Sequence, residues 1–152
     1  MPDAALQLVL ALQLLAGGVM LGVIWMVQLI VYPAFAHVHR DAWRTHHDTH
    51  ARRITYIVLP AMAVELCAAV WLVVARPAGI DSALIAANAA LIVLLWGTTA
   101  FVATRYHRAL GAGWDADAIA GLVRANWIRT VLWSARAAVA AALVLSCGGG
   151  VR

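Results

Sequence analysis

Charge is scarce in this sequence. Only 12% of its 152 residues are charged, lysine is absent, and all eleven basic residues are arginine. Between Ala4 and His39 there is no Asp, Glu or Arg at all. A water-soluble domain is roughly half apolar and about a quarter charged, whereas here 64% is apolar and the mean hydropathy is +0.86. Even well-folded domains of this size bury only about 68–70% of their chain surface, so water is excluded as the solvent and lipid takes its place. The net charge of +4 and the isoelectric point near 9.8 would suit a nucleic-acid partner. The arginines, however, sit in connecting segments, as the orienting charges of a membrane protein do, and no nucleic acid is expected. The arginine bias, with heavy alanine, valine and leucine usage, reads as compositional.

Cysteine is nearly missing too. Cys67 and Cys147 form no CxxC or other metal spacing and read as buried apolar thiols. A P-loop, a GxSxG elbow and a Gly-rich dinucleotide fingerprint are absent, so nucleotide and serine-hydrolase chemistry have no support. Asp3 stands where a signal peptide would have basic residues, and the apolar run after it is too long for an h-region. The first helix is therefore expected to stay as a membrane anchor.

What is present is four apolar stretches, at residues 4–32, 54–75, 82–104 and 127–147. About 20 residues span the hydrocarbon, so the fold class expected is an all-α integral membrane four-helix bundle in one domain. Tyr32-Pro33 is expected to close the first span and Pro60 to kink the second. Arg40, Arg44, Arg52 and Arg53 lie between spans one and two. Arg105, Arg108 and Arg124 lie between spans three and four, against only Arg76 and Arg152 on the other side. The positive-inside rule makes the two arginine-rich segments cytoplasmic and places both termini in the periplasm of a bacterial inner membrane. Both segments read as short interfacial helices, Asp41 capping Ala42–Arg53 and Asp115 capping Ala116–Ala125, with Trp43 and Trp114 at the membrane interface.

Ionisable residues inside spans are costly, and depth along each helix shows which can meet. Glu65 lies 11 residues after Ile54 and Arg136 lies 9 after Trp127, which puts both roughly 14–17 Å deep. Two readings stand: a neutralising ion pair, or Glu65 as a proton carrier that Arg136 holds ionised. A second layer forms near the arginine-rich face. Gln28 and Tyr32 come from span one, His46, His50 and Arg53 precede span two, and His107 follows span three. Asn126, Trp127, Arg129 and Thr130 open span four. His46 and His50 have helical HxxxH spacing and, with His107, are candidate metal ligands. His50 and His107 are candidate axial ligands for a b-type haem. Gly17-Gly18 and Gly22 read as close helix-packing positions.

Ala16-Gly17-Gly18, Val31-Tyr32-Pro33, Thr98-Thr99 through His107-Arg108-Ala109-Leu110, and Asn126-Trp127-Ile128-Arg129-Thr130 together resemble a group of small bacterial four-helix membrane proteins that includes the anthrone oxygenase-like proteins. The chain departs from that group at Arg105-Tyr106-His107, where a Pro-Leu-Asn is usual. The resemblance implies oxidation of an aromatic or quinone-like compound in a polar pocket. In that reading His107, Arg129 and Glu65 carry the chemistry, and Gln28, Tyr32, His50, Arg53, Asn126 and Trp127 hold a haem or quinone cofactor or the lipophilic small molecule. The alternative is an accessory subunit that buries its helices against a larger membrane complex or a second copy.

Overall fold

Helix ends in this chain are set by single residues. The computed structural model describes residues 3–148, which hold four long helices: α1, Ala4–His37; α2, Arg40–Ala75; α3, Ser82–Ala112; and α4, Ala116–Gly148. Asp3 and Asp81 open α1 and α3 by accepting the backbone N–H two residues on, at 3.3 and 2.8 Å. Asp115 opens α4 as expected, accepting from Asp117 and Ala118 at 2.8 and 3.0 Å. Arg76 ends α2 in the left-handed region, with φ 43°.

The links between helices are too short for anything but antiparallel neighbours. The helices form a square in which α1 and α3 each pack on both α2 and α4. All four are long and apolar enough to cross a membrane, and the protein is a multi-pass membrane four-helix bundle. A helix of 36 residues is roughly 54 Å long, far more than the roughly 30 Å hydrocarbon layer. The arginine-bearing starts of α2 and α4 are therefore direct extensions of the spans.

Burial runs opposite to that of a water-soluble domain. Phe101, Val74, Leu145 and Tyr56 are more than 70% exposed, while Gln13, Glu65, Asn88, Thr130 and Arg136 are fully buried. Polar groups without water must find partners inside the bundle, and lipid takes the apolar side chains. Three apolar clusters are stacked along the bundle. One around Tyr32, Phe35, Trp43 and Leu110 lies at the arginine-rich end, one around Met20, Met62, Leu95 and Trp133 in the middle, and one around Leu6, Leu72 and Leu143 at the far end.

Four local expectations are corrected. Tyr32-Pro33 does not close α1. Residues Val27–Val31 form a π-helical turn in which the Tyr32 N–H reaches back to the Val27 carbonyl, and the helix runs on through Pro33. The widened turn has already shifted the hydrogen-bond ladder where proline lacks its donor. Asp41 is not the cap of α2: His39 holds that position, and Asp41 sits inside the first turn, 3.4 Å from His39 Nδ1. Trp43 is a core residue, 1% exposed, whose indole donates to the Leu110 carbonyl at 2.8 Å. Cys67 faces outward, where a thiol is apolar enough for lipid. α2 runs unbroken through Pro60. Arg152, counted above in the charge balance, lies outside the described residues.

Candidate functional site

The polar layer predicted near the arginine-rich end is assembled from all four helices. Gln28 of α1 donates to the Val123 carbonyl at 3.3 Å, and its own carbonyl accepts from Asn126 at 2.9 Å. Asn126 in turn accepts from Arg129 Nη1 at 3.1 Å, one turn along α4. The Thr130 hydroxyl donates to the Asn126 carbonyl at 3.0 Å. All four side chains are buried, so the network fixes the rotation of α4 against α1 and aims the Arg129 guanidinium inward.

Beside this network lies a cavity of about 130 Å³. Met20, Val23, Ile24, Val27, Ile54 and Val58 give it apolar walls, and Tyr32, Thr55, Thr99, Thr104, His107 and Arg129 add polar groups. A dry apolar cavity of about 150 Å³ takes up benzene, so this one has single-ring dimensions. On two of the lining residues a polar atom, Arg129 Nε and the Thr99 hydroxyl, is buried without a partner. Both π-helical turns among the described residues, Val27–Val31 in α1 and Thr98–Ala103 in α3, contribute residues to its wall. Such turns are rare and recur at functional sites, because the extra residue re-aims the side chains around it.

A chain of side chains leads from the cavity to the protein surface. Tyr32 Oη stands 3.0 Å from His107 Nε2, and His107 Nδ1 stands 3.3 Å from His47 Nε2. The exposed Asp48 carboxylate lies 3.7 Å beyond His47 Nδ1. His50 stacks on His107, with ring centroids 6.4 Å apart and planes at 23°. His50 and His107 lie beyond the apolar stretches of their helices. Burial, followed by the neighbouring histidines, lowers the pKa of each to about 4, so both rings are neutral at pH 7. A neutral imidazole has one donor and one acceptor nitrogen. The chain therefore has two equivalent directions, Tyr32 to His107 to His47 or the reverse, and switching between them moves one proton along it.

Several predicted residues stand elsewhere. His46 is exposed and, with His50 and Arg53, lines a groove of about 640 Å³ outside the bundle between α1 and α2. The proposed metal trio of His46, His50 and His107 is thus not gathered around one point. Among the described residues no three His, Cys, Asp or Glu side chains are grouped to hold a metal ion. A benzene-sized space beside near-parallel imidazoles is far too small for a porphyrin between His50 and His107. Trp127 is 44% exposed and packs edge-on against Trp25 on the outer face.

Glu65 is fully buried but belongs to a second polar layer. Its Oε1 lies 3.3 Å from Arg136 Nη2, as the depth count requires. Gln13 and Asn88, hydrogen-bonded to each other at 3.3 Å, are also fully buried. A Cβ at Gly17 would lie 2.8 Å from Glu65 Oε1, so this glycine makes room for a carboxylate.

Sequence reasoning missed His47, Gln13, Asn88 and Thr99. His47 lies four residues after Trp43 and hence on the same helix face, but the sequence alone reads that face as interfacial, so His47 becomes legible only once the structure puts Trp43 in the core. Gln13 and Asn88 were legible as lone amides in apolar spans. The role of Thr99 depends on a π-helical turn that no local pattern announces. Compared with protein-family models, curated proteins and solved structures, the chain matches none.

Proposed function

We propose that the bundle binds a single-ring, oxygen-bearing lipophilic compound, a phenol or quinone, and exchanges protons with it through Tyr32, His107 and His47. The observation that carries this reading is the pair of unpartnered buried donors, Arg129 Nε and the Thr99 hydroxyl, on two residues that line a mainly apolar cavity of about 130 Å³. An unpaired buried polar group costs about 1–3 kcal/mol, and a ring oxygen would relieve both. Arg129 would polarise that oxygen, and Tyr32 would pass its proton to His107 or return it. The step this chain can serve is reversible proton exchange with the ring oxygen, in which the proton leaving a bound phenol is carried by Tyr32 and His107 to His47 and returned by the same route.

The test is thermal melting of the purified protein with 4-methylphenol and with cyclohexane. A bound ligand raises the melting temperature by mass action. The phenol should raise it in the parent protein and do so much less in Tyr32→Phe, while cyclohexane, with no oxygen, should have the weaker effect. Equal shifts with both compounds, or none, would reject the reading.

We further propose that the arginine-rich end, and with it the Asp48 exit of the histidine chain, faces the cytoplasm. Arginine counting is the support. Ala112→Cys should then resist membrane-impermeant thiol reagents in intact cells and Ala78→Cys should react; the reverse pattern would invert the topology.

A further inference from the structure

The cavity is too small for a large lipophilic molecule, yet it is not isolated from the bilayer. Thr55, Val58 and Thr99 line it and equally line a groove of about 260 Å³ on the seam between α2 and α3. That groove is walled by Leu59, Met62, Trp96 and Ala100 and has almost no polar surface. Leu59 is 53% exposed and Ala100 is also exposed, so the groove opens to lipid. Farther along the same seam a second apolar groove of about 160 Å³ runs between Leu66, Val70 and Val74 of α2 and Ala89 and Val93 of α3. The π-helical turn Thr98–Ala103 lies at the junction, with Thr99 on the cavity and Ala100 on the groove. The other outside groove, between α1 and α2, shares only Ile54 with the cavity and has His46, Thr49 and Arg53 along it.

We infer that the ring bound in the cavity carries an apolar tail, which passes Thr55, Val58 and Thr99 and lies along the α2–α3 seam. This rests on the ring-binding reading and narrows its substrate class to alkyl- or isoprenoid-tailed phenols and quinones that enter sideways from the bilayer. The ring takes the inner, polar end, lined by Arg129 and Thr99, whose Nε and hydroxyl lack partners. The tail takes a groove with nothing to offer but apolar contact. A tail moving from lipid into such a groove gains little hydrophobic free energy, because lipid is as apolar as the groove. Its position, and not the affinity, is therefore the property to measure.

The experiment uses the full chain in lipid nanodiscs and 4-decylphenol with a diazirine at the tail end, photolysed and mapped by mass spectrometry. Label should fall on α2 between Thr55 and Val74 and on α3 between Ala89 and Ala100, and excess 4-methylphenol should suppress it at least fivefold. Ala100→Trp, which fills the groove without touching the cavity wall, should reduce labelling by a similar factor. The melting shift with 4-methylphenol should remain. Label spread over all lipid-facing helices and insensitive to competitor would overturn the inference and leave ring binding intact. So would label concentrated on Met26, His46 and Ile57 in the other groove. No melting shift with 4-methylphenol in the parent protein would overturn both.

Discussion

Replacing Glu65 by glutamine destabilises the bundle by about 3–5 kcal/mol, because it leaves the fully buried Arg136 without its counter-charge. The lower half of that range is expected. The two groups stand at ion-pair distance, 3.3 Å, but no nitrogen of Arg136 and neither oxygen of Glu65 is aligned for a hydrogen bond. Their attraction is one of charge, without the added strength of a forked, aligned pair. Glu65→Gln combined with Arg136→Met should recover most of the loss, since an apolar replacement of both partners removes the buried charge altogether. Unfolding in mixed micelles across the four proteins measures the coupling. A double variant as unstable as the summed singles would show that the residues do not interact. Gly17→Ala offers an independent check on the same layer. Its new methyl would meet Glu65 Oε1 at 2.8 Å, whereas one at Gly18 would meet nothing within 4 Å. Overpacking of that kind costs about 1–3 kcal/mol, so Gly17→Ala should be clearly destabilised and Gly18→Ala hardly at all.

The second large effect separates binding from stability within the other polar layer. His107→Ala should weaken 4-methylphenol binding about tenfold, roughly 1.4 kcal/mol, because Tyr32 loses the imidazole partner that holds its hydroxyl in place beside the cavity. Its cost in stability should be small, since interhelical hydrogen bonds in membranes average only about 0.6 kcal/mol. Asn126→Ala should behave differently. Asn126 joins Gln28 to Arg129 at 2.9 and 3.1 Å, all of it buried. Its removal leaves the Gln28 carbonyl with only the longer 3.5 Å bond from Thr130 and one guanidinium N–H with no acceptor, the latter at about 1–3 kcal/mol. Melting temperature and ligand affinity should therefore fall together in Asn126→Ala and separately in His107→Ala. A parallel fall of both quantities in both variants would mean that the layer only seals the bundle.

Glu65 and Arg136 show how much of this could be read from one dimension. Their depths follow from counting residues from the helix start at a fixed rise, and the pair forms where the count puts it. The same holds for Gln28, Tyr32, His107, Asn126 and Arg129, which converge as their depths require. Direction around the helix axis was less legible. Adjacent helical residues point about 100° apart, which is enough to send His47 inward and His46 out to the α1–α2 groove. Trp127 and Asn126 divide the same way, one toward lipid and one into the network.

Composition and hydropathy by themselves determined that this chain forms four helices in lipid, and the position of each polar residue along its helix determined that two polar layers exist. Those properties are local: a span needs enough apolar residues in a row, and depth is a count. Only the tertiary structure decided which histidine joins Tyr32, that Thr99 faces a cavity, and that the cavity meets a lipid-facing groove at Thr55, Val58 and Thr99. These depend on the rotation of each helix against its neighbours and on two π-helical turns that shift side chains by a fraction of a turn. Packing among four helices sets both, and residues far apart in the chain supply the contacts that fix them.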